Sequence, residues 1–108
     1  MRARKEDMHE LEMHNWEMGP GTELPPCVLD LRTADQFQRG HIPGSTHLSY
    51  NQFQADALTL VAGCDWVLLV DAGGARAAEM AVWIRARGVN ARYLVGGMSQ
   101  WRGALETA

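Results

Sequence analysis

One stretch of this sequence has the residue types and spacing for chemistry: Asp71-Ala72-Gly73-Gly74-Ala75-Arg76. A carboxylate ends the apolar run Trp66–Val70, and small residues and a guanidinium follow it. A small-residue loop that leads into a helix turns backbone N–H groups inward. With the helix N-terminus it forms an anion-binding nest. Arg76 is expected to pair with Asp71 or with the helix start. An aspartate at a strand end can also accept a phosphoryl group, but that chemistry needs further acids for Mg²⁺, and the loop holds none. Asp30 and Arg32 close a second apolar run and are read as a charged pair that ties the following loop in place. His41 opens the turn His41-Ile42-Pro43-Gly44, which it is expected to hold through hydrogen bonds. His9, His14, Met8, Met13 and Met18 have side chains that bind metals. Their i, i+5 spacing does not put both histidines on one helix face, so no metal site is expected. Cys64 precedes Asp71 by a strand's length, roughly 20 Å at about 3.3 Å per residue. Cys27 likewise enters its strand at the far end. Both read as small buried hydrophobes.

The elements that position these residues follow from patterning. The chain has 108 residues, 46% of them hydrophobic and 21% charged, which suits one globular domain with one core. Residues 1–26 carry six acids and three bases, have no clean period, and end in Gly19-Pro20-Gly21 and Pro25-Pro26. They read as an irregular N-terminal arm, and 27–108 as the single domain. The body is charge-neutral, which gives no footprint for nucleic acid or for an anionic membrane surface. No apolar run reaches 18 residues, and the N-terminus lacks the apolar stretch of a secretory signal. With only two cysteines, a reduced, cytoplasmic protein is expected.

Cys27–Leu31 has strand length. Thr33 and Gln36 form a capping box for a helix anchored by Phe37 and stopped at Gly40. Thr46-His47-Leu48 suggests a short strand, and Ser49 with Gln52 a second capping box. Phe53, Ala57, Leu60 and Val61 share a helical face. Trp66–Val70 is continuously apolar, as a parallel strand buried on both faces would be. Ala77, Met80, Ala81 and Ile84 form a helical stripe. Ala91–Val95 is the next strand, Gly96-Gly97 turns the chain, and Met98–Ala104 is a final short helix around Trp101. Trp83 and Trp101 are read as packing residues, and Arg85, Arg87, Arg92 and Arg102 as a solvated face. The alternating order implies an α/β fold: a parallel sheet of four or five strands with helices on both faces. Ligands in such folds sit beyond the carboxyl ends of the strands, which directs attention to 30–32, 41–44 and 71–76.

Two blocks carry a resemblance to a known family. VLDLRTADQFQRGHIPGSTHL resembles the front half of a rhodanese-homology domain, with its Asp-x-Arg strand end and Gly-His-Ile-Pro-Gly turn. VLLVDAGGARAAEMAVWIRARGVNARYLVGGMSQW resembles the back half, where a strand runs into Cys-x-x-Gly-x-Arg, then a helix, a strand, Gly-Gly and a Trp. The resemblance spans about residues 28–103 and implies the three-layer rhodanese-like fold. It also implies a six-residue active loop of the sulfur-handling type, with Asp71 where the family has its nucleophilic cysteine and with Gly74 and Arg76 retained.

That departure shapes the functional expectation. In active relatives the loop's N–H groups hold a thiolate, then a persulfide. Here a carboxylate can occupy the nest permanently. It forms no stable persulfide, and an anionic substrate such as thiosulfate would meet a negative charge. The leading expectation is therefore a catalytically inactive rhodanese-like module that binds a protein partner or a small anion and needs no cofactor. The alternatives are a working thiosulfate or persulfide sulfurtransferase, and a docking piece of a larger sulfur-transfer system.

Overall fold

A computed structural model of the chain describes residues 26–107. The His9, His14 and Met8, Met13 and Met18 group, and most of the expected N-terminal arm, lie outside the described residues. Four strands form one parallel sheet: β1 (Cys27–Asp30), β2 (Thr46–His47), β3 (Val67–Val70) and β4 (Ala91–Tyr93), in the order β2-β1-β3-β4. Cys27 pairs with Val67 and Asp30 with Val70, so β1 and β3 end together and bring their following loops side by side. The α-helices are α1 (Ala34–Arg39), α2 (Phe53–Leu60) and α3 (Ala75–Arg85).

Alternation along the central strands divides the core in two. Leu29, Val67 and Leu69 face a cluster with Phe53 and Ala57 of α2 and with Ala77, Met80, Ala81 and Ile84 of α3. Val28, Leu68 and Val70 face a second cluster, built with Ile42 and Leu94 and flanked by Trp66, Met98 and Trp101.

The capping box at α1 is present: the Thr33 side chain accepts the Gln36 N–H, and the Gln36 side chain accepts the Thr33 N–H. The one expected at Ser49 is not, because a 3-10 turn at Tyr50–Gln52 precedes α2 and Ser49 makes no side-chain cap. The Tyr50 N–H donates to Leu31 O at 3.2 Å, so tethering to the end of β1, not local capping, sets where α2 begins. On α2, Phe53 and Ala57 are buried with Val61 just beyond, whereas Leu60 is 45% exposed at the edge of that stripe. The expected helix over 98–104 is instead a 3-10 turn, Gly97–Gln100, after which Trp101 is extended. The chain turns back there because its last segment pairs elsewhere: His41 and Glu106 form an antiparallel bridge. Three of the four arginines are braces more than a solvated face. Arg87 lies 3.8 Å over the Trp83 ring, Arg92 4.3 Å over Trp66, and Arg85 donates to Ala91 O at 2.6 Å.

The cysteines correct a larger expectation. Cys27 and Cys64 are joined in a disulfide, with Cα atoms 6.2 Å apart and 37 positions apart in sequence. Both do lie at the entry end of the sheet. Neither is a free thiol, because α2 runs back across the sheet and its following turn brings Cys64 over the first residue of β1.

Candidate functional site

The Asp71 side chain follows β3 directly and is 6% exposed. One carboxylate oxygen accepts the Gly74 N–H. The other accepts the N–H groups of Arg76 at 2.8 Å and Ala77 at 3.1 Å. The anion thus fills a nest formed by the loop and the first turn of α3, where aligned N–H groups and the helix dipole favour negative charge. Gly74 must be glycine on two counts. Its φ is +102°, and a Cβ there would lie 2.9 Å from Gly96 N.

The expected Asp71–Arg76 ion pair is absent among the described residues. The Arg76 guanidinium lies 4.8 Å from the centroid of the Tyr50 ring. Three backbone donors already satisfy the carboxylate, which leaves the exposed Arg76 side chain to reach outward over the aromatic face. The result is an open cleft of about 360 Å³ at the carboxyl ends of β1 and β3, lined by Arg32, Tyr50, Asn51, Asp71, Gly73 and Arg76 among others.

Two braces hold this cleft. Asp30 is fully buried, and its carboxylate takes the Arg32 guanidinium at 2.7 Å; the same Nη2 donates to Gly40 O, also at 2.7 Å. The pair therefore ties the end of α1 to β1. The second brace is the turn after β4. Met98 N–H donates to Asp71 O at 2.8 Å and Ser99 N–H to Ala72 O at 3.4 Å. Gly97, at φ +68°, lets that backbone pass against Ala72, which gives the Gly-Gly pair its physical role.

His41 does not line the cleft. Its ring stacks on Phe37 at 3.8 Å and its Nδ1 is 2.7 Å from Phe37 O. Its Nε2 faces Glu106 Oε1 at 3.5 Å, and the same oxygen accepts the Gly44 N–H at 2.9 Å. Glu106 was missed from the sequence, since nothing local marks a residue 62 positions from Gly44 as its partner. Glu106→Ala should lower stability by about 1 kcal/mol, the ordinary net worth of such a bond. Urea denaturation checks it, and an unchanged midpoint would show that the C-terminal strap does not matter.

Tyr50 was also missed as a site residue. Its hydroxyl donates to Glu79 Oε1 at 2.7 Å. That bond, with burial and the Glu79 charge adding and Arg76 opposing, raises the phenol above its usual 10.0. The neutral phenol is the favoured form, so its stabilising contribution is present below the unfolded pKa and is lost as pH rises through the folded one. Titration of phenolate absorbance should show a late-ionising step that Tyr50→Phe removes. A variant that keeps the whole of that step would overturn the assignment to Tyr50.

The described residues include no helix long and apolar enough to cross a membrane. Comparison with known proteins adds to this geometry. The family model described as the rhodanese-like domain matches residues 12–104. A rhodanese-like domain protein from Staphylococcus aureus is 25% identical, with a TM-score of 0.69 over 80% of this chain and 84% of that one. A rhodanese-related protein from Thermoplasma volcanium shares the fold at 20% identity, with a TM-score of 0.70 over 77% of this chain and 86% of that one. So does a thiosulfate sulfurtransferase from Pseudomonas aeruginosa, 23% identical with a TM-score of 0.68, over 79% of this chain but 17% of that one. A search among curated proteins found no match.

Proposed function

The chain belongs to the rhodanese-like domain family, and on that premise we propose that it is a non-catalytic member whose cleft serves binding. The observation that carries this reading is the buried Asp71 carboxylate, held by three backbone N–H groups, at the loop position that the sequence resemblance equates with the family's nucleophilic cysteine. Those donors would stabilise a thiolate or a persulfide in an active relative. Here they are engaged by an oxygen acid that forms no stable persulfide. Its charge also opposes the approach of an anionic sulfur donor to the base of the cleft. The two sulfur atoms of Cys27 and Cys64 offer no substitute, since they are bonded to each other at the opposite end of β1.

Binding remains open to the module. The cleft is wide, and the Arg76 guanidinium stands at it over Tyr50 without an acidic partner among the described residues. A small anion or an acidic group on a protein partner fits that cation. The folded unit that does this is the segment from residue 27 onward.

The test is formation of thiocyanate from thiosulfate and cyanide by the full chain. The expected rate is that of the buffer blank. Turnover well above the blank would establish a sulfurtransferase and remove the non-catalytic reading.

A further inference from the structure

We propose that the Cys27–Cys64 disulfide is a redox-exchangeable staple, through which thiol reductants of the glutathione class set the stability of the domain. Its position argues for a device distinct from the cleft. Cys27 opens β1, and Cys64 closes the turn that follows α2, where its N–H donates to Val61 O at 2.9 Å. The cleft lies at the other end of β1, past Asp30. Both cysteines are only partly buried, and Ala62 and Gly63 beside Cys64 are exposed, so one flank of the S–S bond can be approached. A turn held by so few hydrogen bonds opens locally at low cost.

The exchange balances as a two-electron reduction. A thiolate attacks one Sγ, the S–S bond breaks, and the electron pair leaves on the other Sγ, which takes a proton. A second small thiol then attacks the mixed disulfide. The products are two cysteine thiols and one oxidised small-thiol disulfide. Both side chains pack against the cluster that contains Leu29 and Val67, so after reduction they remain there as small hydrophobes and the core is kept. What is lost is the closure of a 37-residue span that holds α1, β2 and α2. That closure restricts the unfolded chain far more than it shapes the folded one.

The experiment uses the full chain in glutathione buffers of graded redox poise. Free thiols are trapped with iodoacetamide under denaturing conditions and counted by intact mass. The expected outcome is no label in oxidising buffer and two labels, gained together, in reducing buffer. Far-UV circular dichroism should stay the same while the melting temperature falls by about 10 °C or more. Cys27→Ser with Cys64→Ser should melt like the reduced protein and ignore the buffer. Two labels in oxidising buffer, equal melting temperatures in both buffers, or a disulfide that yields only after denaturant is added would each overturn the proposal.

Discussion

Asp71→Cys should give a chain that carries a persulfide at position 71 and forms thiocyanate faster than the wild type. The loop keeps its length, Gly74 keeps its left-handed backbone, and the N–H groups of Gly74, Arg76 and Ala77 already converge on the side chain at this position. A thiolate is bulkier than a carboxylate oxygen but brings the same charge, so the donors that hold Asp71 would hold it too. Those donors and the start of α3 should bring the new thiol below the ~8.5 of a free cysteine. Alkylation rate against pH measures this, and intact mass after thiosulfate reports the added sulfur. Turnover will be modest, because Ala75 and Ala77 supply no hydroxyl to position a substrate. The variant must first show the wild-type circular dichroism. A folded variant whose cysteine titrates like a free thiol and never gains sulfur would mean that the nest no longer serves sulfur chemistry.

Asp30→Ala should bring the largest loss of stability of any single substitution considered, roughly 3–5 kcal/mol against the ~5–15 kcal/mol of a whole domain. Asp30 is fully buried, and its partner Arg32 is only 11% exposed. Removing the carboxylate leaves a guanidinium in a site of low polarity with one remaining acceptor, Gly40 O. It also strips the Arg32 N–H of its bond to Asp30, at 3.1 Å, just where β1 hands over to α1. Urea denaturation of wild type, Asp30→Ala and Asp30→Asn measures the effect. The asparagine variant, which keeps the shape and loses the charge, should fall between the other two. Replacing both partners, Asp30→Leu with Arg32→Met, should recover much of the loss, because a buried pair often does little better than apolar groups of similar size. A shift in Asp30→Ala below about 1 kcal/mol would show that the pair is not the brace described.

The strength of that brace bears on the cleft. Arg32 lines it and, through Gly40, anchors the end of α1 beside it. The binding role proposed above requires a cleft whose lining is held in place. Here the hold comes from buried charge on one side and from the Gly96-Gly97 turn on the other.

What could be read from the sequence was whatever depends on near neighbours. Continuous apolarity over 67–70 marked the central strand, and the 77, 80, 81, 84 stripe marked the buried face of α3. Thr33 and Gln36 marked the start of α1, three residues apart. The placement of Asp71 at the mouth of the nest followed the same way, because strand, small-residue loop and helix start are consecutive. Periodicity also implied a parallel sheet and, with it, the end at which a site would form. Periodicity does not encode distance between segments that are far apart in sequence. Only the tertiary structure could decide that Cys64 returns to Cys27, that Glu106 bridges to His41 and Gly44, and that Arg76 lies over Tyr50 instead of pairing with Asp71. Each of these is set by how helices and loops cross the sheet, where packing and the satisfaction of buried polar groups outweigh any preference the local residues express.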